Sequence, residues 1–295
     1  MDVAGRVEAA LGVRPERVGR LSGGCVGDVH RLRMPSGEDL VCKVAGGGAG
    51  GVGGGVGSSA SLDIEGWMLG YLRPRSTLPV PEVVHCEPSL LVMRHVPNDG
   101  ARSDAGDREA GRLLAELHGV GADAYGLERD TLIGPLAQSN TVADDWSRFF
   151  GERRLRPMAA RAGGSLPGGT RGRIDRLCGR LDALIGEAGP PALVHGDLWS
   201  GNVLWDGGRV AAVIDPAVYH ADAEVELAFI DLMGGFGRGF WEAYAEARPI
   251  RAGFWETRRD LYNLYPLLVH AALFDPPGGG GYASSVARTL DRLGF

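Results

Sequence analysis

Residues 193 to 202 read LVHGDLWSGN. A short apolar run delivers the chain into a loop where Asp197 stands two residues after His195 and five before Asn202. A second acid follows at the end of the next apolar run: Val210 to Ala217 read VAAVIDPA, with Asp215 closing the strand-like segment. One carboxylate for a reacting hydroxyl, with a second carboxylate and an amide oxygen for a hard cation, is a donor set suited to magnesium held largely by phosphate oxygens. The bland reading of the same residues is a polar turn between two strands, with both acids solvated.

The order and spacing match the catalytic loop and metal-binding aspartate of protein-kinase-type phosphotransferases. Such a site needs partners upstream. Lys43 ends the apolar run LVCKV after a glycine-rich turn, Ser22 to Gly27, and is placed to hold phosphates. Its alternative is an edge-strand lysine. Glu65, in the next helical segment, is the expected ion-pair partner, with Asp63 as competitor. The turn lacks a full GxGxxG, and a simple hairpin turn is its alternative. HGD replaces HRD, DPA replaces DFG, and no APE follows. The usual apparatus for phosphorylation-controlled activation is missing, which favours a constitutive small-molecule kinase.

Working outward, residues 20–45 read as a β-hairpin, 62–72 as a helix and 90–96 as a strand. The tract 46–61 is low in complexity, lacks GK[ST] and reads as an exposed, flexible loop. Pro97-Asn98-Asp99-Gly100 breaks the chain, so a nucleotide-binding lobe over 1–97 and a catalytic and substrate lobe over 98–295 are expected. Ser103 can cap a helix carrying Ala110, Leu113, Leu114 and Leu117 on one face. Further helices are expected over 170–187, 224–233, 238–247, 254–274 and 282–293, with ALVH, NVLW and RVAAVID as short strands. The fold class is α+β: a two-lobed protein-kinase-like arrangement with a small antiparallel β lobe and a larger helical lobe.

The composition agrees. Among 295 residues, 44% are hydrophobic and 23% charged, with a formal net charge of −6. That balance disfavours nucleic acid or an anionic membrane as partner. No apolar run reaches the roughly 18 residues of a membrane helix. The first residues lack a secretory pattern. The cysteines Cys25, Cys42, Cys86 and Cys178 form no CxxC pair, so a reducing cytoplasm is expected.

HGDLWSGN, IDPAVYH, EVELAFIDLMGGF and FWEAYAEA together resemble the fructosamine kinases, or ketosamine-3-kinases, within the group that includes aminoglycoside phosphotransferases and choline kinases. SGGCVGDVH, LLAELH and QSNTVADDWSRFFGERRL extend the resemblance over most of the chain. It implies ATP and Mg2+ as cofactors. It implies Asp197 as base, Asn202 and Asp215 as magnesium ligands, and Lys43 with Glu65 as the phosphate-holding pair. Gly23, Gly24 and Cys25 would belong to the loop over the nucleotide, and backbone groups from Met93 to His95 would meet the adenine. Trp199 would wall the sugar site, with core packing as its alternative, and Gln138 and Asn140 would face substrate. His195 reads as structural. The implied reaction is phosphorylation of the 3-hydroxyl of a free or protein-bound ketosamine, leading to deglycation. The rivals are another small-molecule phosphotransferase of the same fold and a non-catalytic nucleotide-binding module. Cys25 resembles cysteines of redox-sensitive disulfide-linked dimers; an inert small residue in a monomer is the alternative.

Overall fold

The computed structural model describes residues 2–21, 28–45 and 61–295. The glycine-rich turn with Gly23, Gly24 and Cys25, and the tract from 46 to 60, lie outside the described residues.

Helix α1 (Val3–Leu11) starts at Asp2, whose Oδ1 accepts from Gly5 N at 2.7 Å, and ends at Gly12 with φ +72°. Strands β1 (Arg17–Arg20), β2 (Asp28–Arg33), β3 (Asp39–Val44), β4 (Val83–Glu87) and β5 (Leu90–Arg94) form one antiparallel sheet, ordered β1-β2-β3-β5-β4. The segment read as a hairpin supplies β2 and β3, which pair antiparallel as expected, and only the last residue of β1. β4 escapes the sequence pattern because, as an edge strand, it exposes Val84, Cys86 and Glu87. β5 explains its unbroken apolar run: Leu90 and Val92 face the cluster under α1, while Leu91 and Met93 face the main core. Helix α2 (Leu62–Leu72) crosses β4 and β5 closely. A Cβ on Gly66 would lie 2.7 Å from that of Cys86, so only glycine permits the approach.

A connector, residues 95–103, leads to α3 (Asp104–Leu117). Ser103 caps it as expected, accepting from Gly106 N at 3.1 Å. Hairpin β6 (Thr131–Ile133) and β7 (Leu136–Gln138) precedes α4 (Trp146–Phe149), a π-helical turn at Phe150–Leu155 and α5 (Arg156–Arg161). The pattern over 170–187 splits into α6 (Thr170–Cys178) and α7 (Leu181–Ile185), because Arg180 leaves helical geometry at φ −124°, ψ 7°. β8 (Ala192–Val194) pairs with β11 (Tyr219–Ala221), enclosing the hairpin β9 (Val203–Asp206) and β10 (Arg209–Val213). Helices α8 (Glu224–Met233), α9 (Arg238–Ala247), α10 (Arg259–Phe274, preceded by a π-helical turn at Phe254–Arg258) and α11 (Gly281–Arg292) complete the chain. Among the described residues no helix is long and apolar enough to cross a membrane.

Candidate active site

The loop after β8 is held from beneath. Gly196 sits at φ +85°, and a Cβ there would lie 2.2 Å from Ala217 O. Ala217 N donates to His195 O at 2.7 Å, so the two edges of this crossing cannot separate to make room. Glu226 of α8, wholly buried, accepts from Gly196 N (2.6 Å) and His195 N (3.0 Å). It also accepts from His118 Nε2 at 3.0 Å, while His118 Nδ1 lies 2.8 Å from Tyr244 OH. Burial pushes the Glu226 carboxyl up, but the hydrogen bond and charge of His118, with further help from His195 and Gly196, outweigh it and hold it below the usual range. His195 is itself fully buried, and burial depresses its pKa. Its Nδ1 accepts weakly from Asp197 N at 3.4 Å.

This foundation presents Asp197. Asn202, in the 3-10 turn Ser200–Asn202, donates Nδ2 to Asp197 O (2.7 Å) and Oδ2 (3.1 Å), fixing carboxylate and loop together. Burial raises the Asp197 carboxyl to about 8; the Asn202 hydrogen bond opposes the shift, and the charges of Asp215 and Glu226 add to it. Asp215 leaves β10 with φ +59°, the one non-glycine residue with positive φ among the described residues. Ile214 N donates to Asn202 O at 2.9 Å, which couples the two segments. A strained backbone beside polar groups is a common mark of functional sites.

Lys43 of β3 closes the cluster. It is 6% exposed; its Nζ donates to Glu65 Oε1 at 2.6 Å and also to Asp215 Oδ1. Burial alone would lower its pKa, yet the two carboxylates outweigh burial and raise it. Glu65 shifts up, first through burial and then through Asp215, as expected for two acids sharing one ammonium. Asp63, the competitor, pairs with Arg129 at 3.4 Å instead.

The oxygen donors fit a magnesium–phosphate complex. Among the described residues Asn202 Oδ1 accepts no hydrogen bond, and Asp215 keeps its second oxygen beyond its contact with Lys43. No group of three or more His, Cys, Asp or Glu that could cage a metal occurs among the described residues. A cation here would therefore need ligand oxygens in addition to the protein's.

Two expectations need correction. Gln138 is 2% exposed, and its groups are spent internally: Nε2 donates to Thr131 Oγ1 and Ala217 O (both 3.0 Å), and Oε1 accepts from Tyr265 OH at 2.8 Å. Asn140 is fully buried, donating to Arg129 O (3.1 Å) and Thr131 Oγ1 (2.8 Å) and accepting from Arg154 at 2.7 Å. Gln138 braces the segment after Asp215, and Asn140 ties the start of β6 to Arg154, so neither side chain has a group left for the cleft. Where the chain was expected to meet adenine, Met93 pairs with β3 and β4 on either side, and His95 N donates to Asp39 O at 3.1 Å, which spends that amide but not the His95 carbonyl. The first main-chain amide of the connector without a partner among the described residues is that of Val96.

Trp199 is half-buried, and its ring lies flat on Gly201, where a Cβ would sit 2.3 Å from Cη2. The Trp-Ser-Gly triplet thus works as a unit. The residues missed at first are Glu226, His118 and Tyr244. Their signal was faint: Glu226 looks like any acid in an amphipathic helix until its burial is known.

A family model described as fructosamine kinase matches residues 59–294. A candidate ketoamine kinase of Synechocystis is 40% identical over 187 residues, covering 61% of this chain and 59% of that protein. The chloroplastic protein-ribulosamine 3-kinase of Arabidopsis thaliana is 36% identical over 210 residues, covering 69% and 61%. The chain thus spans about three fifths of the length of these two relatives. The crystal structure of a candidate fructosamine-3-kinase from Thermobifida fusca aligns with a TM-score of 0.85 at 31% identity, covering 99% of this chain and 98% of that one. An aminoglycoside phosphotransferase complex with streptomycin and ATP aligns at a TM-score of 0.61 and 16% identity, a likeness of fold alone. With the family model spanning most of the sequence and the two-lobed kinase-like fold matched end to end, this chain belongs to the fructosamine kinase family.

Proposed function

We propose that the protein is an ATP-dependent kinase that phosphorylates a sugar hydroxyl, the 3-hydroxyl, of ketosamines, and so begins their removal from amines. The observation that carries this reading is the single cluster Glu65–Lys43–Asp215 beside Asn202–Asp197, which unites β3, α2 and the two loops flanking β9 and β10. Asp197 would accept the proton of the attacking hydroxyl, and Asn202 would keep its carboxylate aimed. Lys43, held by Glu65, would meet the nucleotide's phosphates, and the Val96 amide would meet the adenine. Asn202 Oδ1 and Asp215 would hold magnesium, which when bound supplies charge neutralisation on the phosphates. Trp199, fixed on Gly201, would wall the acceptor site. Most of the rate enhancement would come from positioning and electrostatics.

The test is magnesium-dependent ATP turnover on fructose- and ribulose-amine conjugates, aminoglycosides and choline, with wild type and Asp197→Asn. Turnover restricted to ketosamines and lost in the variant is expected. Turnover on another acceptor class alone would sink the deglycation role, and ATP binding without any turnover would favour a binding module.

A further inference from the structure

Of the 31 lysines and arginines in the sequence, one is a lysine, and it is Lys43. The rest are arginines, many of them well exposed: the side chains of Arg238, Arg20 and Arg209 are 90%, 75% and 68% accessible. This skew bears on the chemistry of ketosamines. A protein-bound ketosamine forms when the lone pair of a neutral lysine Nζ adds to C1 of an open-chain aldose. Water leaves to give an imine; the C2 proton then moves to C1 and the C2 hydroxyl proton to nitrogen, leaving a 1-amino-2-ketone. The net change is loss of one water, with no oxidant or reductant. Arginine keeps its proton, so its guanidinium has no comparable lone pair to offer.

We propose that this chain is built to resist glycation of itself: its exposed cations are arginines, and its one ε-amine is shielded by burial and by ion pairs to Glu65 and Asp215. The inference rests on the ketosamine kinase reading, which places the protein among the sugars that generate its substrates. Lys43 is 6% exposed, and its Nζ lies 2.6 Å from Glu65 and in contact with Asp215, so an aldose would have to displace both carboxylates to reach it. Modification there would also be beyond self-repair, since the adduct would occupy the cleft that has to process it.

The experiment incubates the full chain and its Arg238→Lys variant with ribose and no nucleotide, and maps adducts by peptide mass spectrometry. An α-amine at the chain start is scored separately. Position 238 is expected to gain adduct at least about tenfold faster than Lys43, the factor that a local opening cost of about 1.4 kcal/mol makes. Wild type in urea should gain adduct on Lys43, showing that the peptide is detected. Glu65→Gln, checked for folding by its melting transition, should speed modification of Lys43; if it does not fold, the wild-type and urea arms decide. Modification of Lys43 in the folded wild type at the rate of position 238 overturns the proposal. Magnesium-ATP added afterwards should clear position 238. Persistence of that adduct would count against the kinase reading while leaving the Lys43 result standing.

Discussion

Asp197 occupies a place that disfavours its own charge, and that fact fixes two expectations. Burial, with Asp215 and Glu226 nearby, lifts its pKa to about 8. In the base role proposed for it the carboxyl must be ionised, so kcat/KM of the free enzyme should climb with pH and level off above about 8. Replacing Glu226 by Gln removes one of the charges that raise the pKa, so the midpoint should move to lower pH; a midpoint moving upward contradicts this electrostatic account. That variant should also cost about 2–4 kcal/mol of stability, because one buried carboxylate serves three donors. The stability sign of Asp197 itself is opposite to that of a salt-bridged acid. Its folded pKa lies above its unfolded value, so between about pH 4 and 8 the native state binds the extra proton and stability falls as pH rises. Asp197→Asn should therefore lose activity by on the order of 10²–10⁴. At pH 9 it should nevertheless melt at a higher temperature than wild type, by on the order of 1 kcal/mol after allowance for partial solvent access. Equal or lower melting there would mean that the carboxylate is not strained by its site. Asp197, Asn202 and Asp215 were legible in the sequence because their relation is short-range spacing. Gln138 and Asn140 were misplaced because spacing cannot tell which polar groups are spent on the backbone.

Helix α3 and helix α9 meet through a glycine, and this contact separates intrinsic propensity from packing. Alanine in a helix interior is favoured over glycine by about 1 kcal/mol. At Gly111, however, a Cβ would lie 2.3 Å from Phe240 O, a backbone atom that cannot swing away. Collision should win: Gly111→Ala is expected to lower stability by about 1–3 kcal/mol. Gly70 of α2 is the control, exposed and with nothing within 4 Å of its would-be Cβ. Gly70→Ala should stabilise by about 0.4–1 kcal/mol. Thermal melts of the two variants check both signs, and a stabilising Gly111→Ala would refute the packing argument. Elements of this kind were visible in the sequence where periodicity and a cap agreed, as in α3 behind Ser103, or where the apolar pattern sufficed alone, as in α2, α8 and α9. They were hidden where tertiary context decides: β4 is an edge strand with little alternation, and the break at Arg180 has no proline to announce it.

The molecule as a whole has one principal core that ignores the connector. Leu62, Leu69 and Leu72 of α2, with Leu91 and Met93 of β5, belong to the same apolar cluster as Leu114, Leu198, Val213 and Leu227 of the larger part. Polar ties reinforce the junction. Val213 N donates to Pro79 O at 2.7 Å, Asp99 N and Gly100 N donate to Trp205 O at 3.0 Å each, and Ser103 Oγ donates to Gly208 O at 2.7 Å. The connector is thus fastened to the β9–β10 hairpin that flanks the site. A separate, smaller cluster lies beneath α1, where Val7 meets Leu32, Leu40 and Val92. Two truncations should therefore behave differently. Leu69, 1% exposed, sits in the shared core, and Leu69→Ala should cost about 2–5 kcal/mol across the whole protein. Val7, fully buried in the smaller cluster, should on truncation cost about 2 kcal/mol, felt first as lost hydrogen-exchange protection in α1 and in β2 and β3 beneath it. Calorimetry of the wild type should give one transition, and Leu69→Ala should move that transition intact. Two resolved peaks, with Leu69→Ala shifting only one, would show that the parts on either side of the connector fold as independent units despite the core they share.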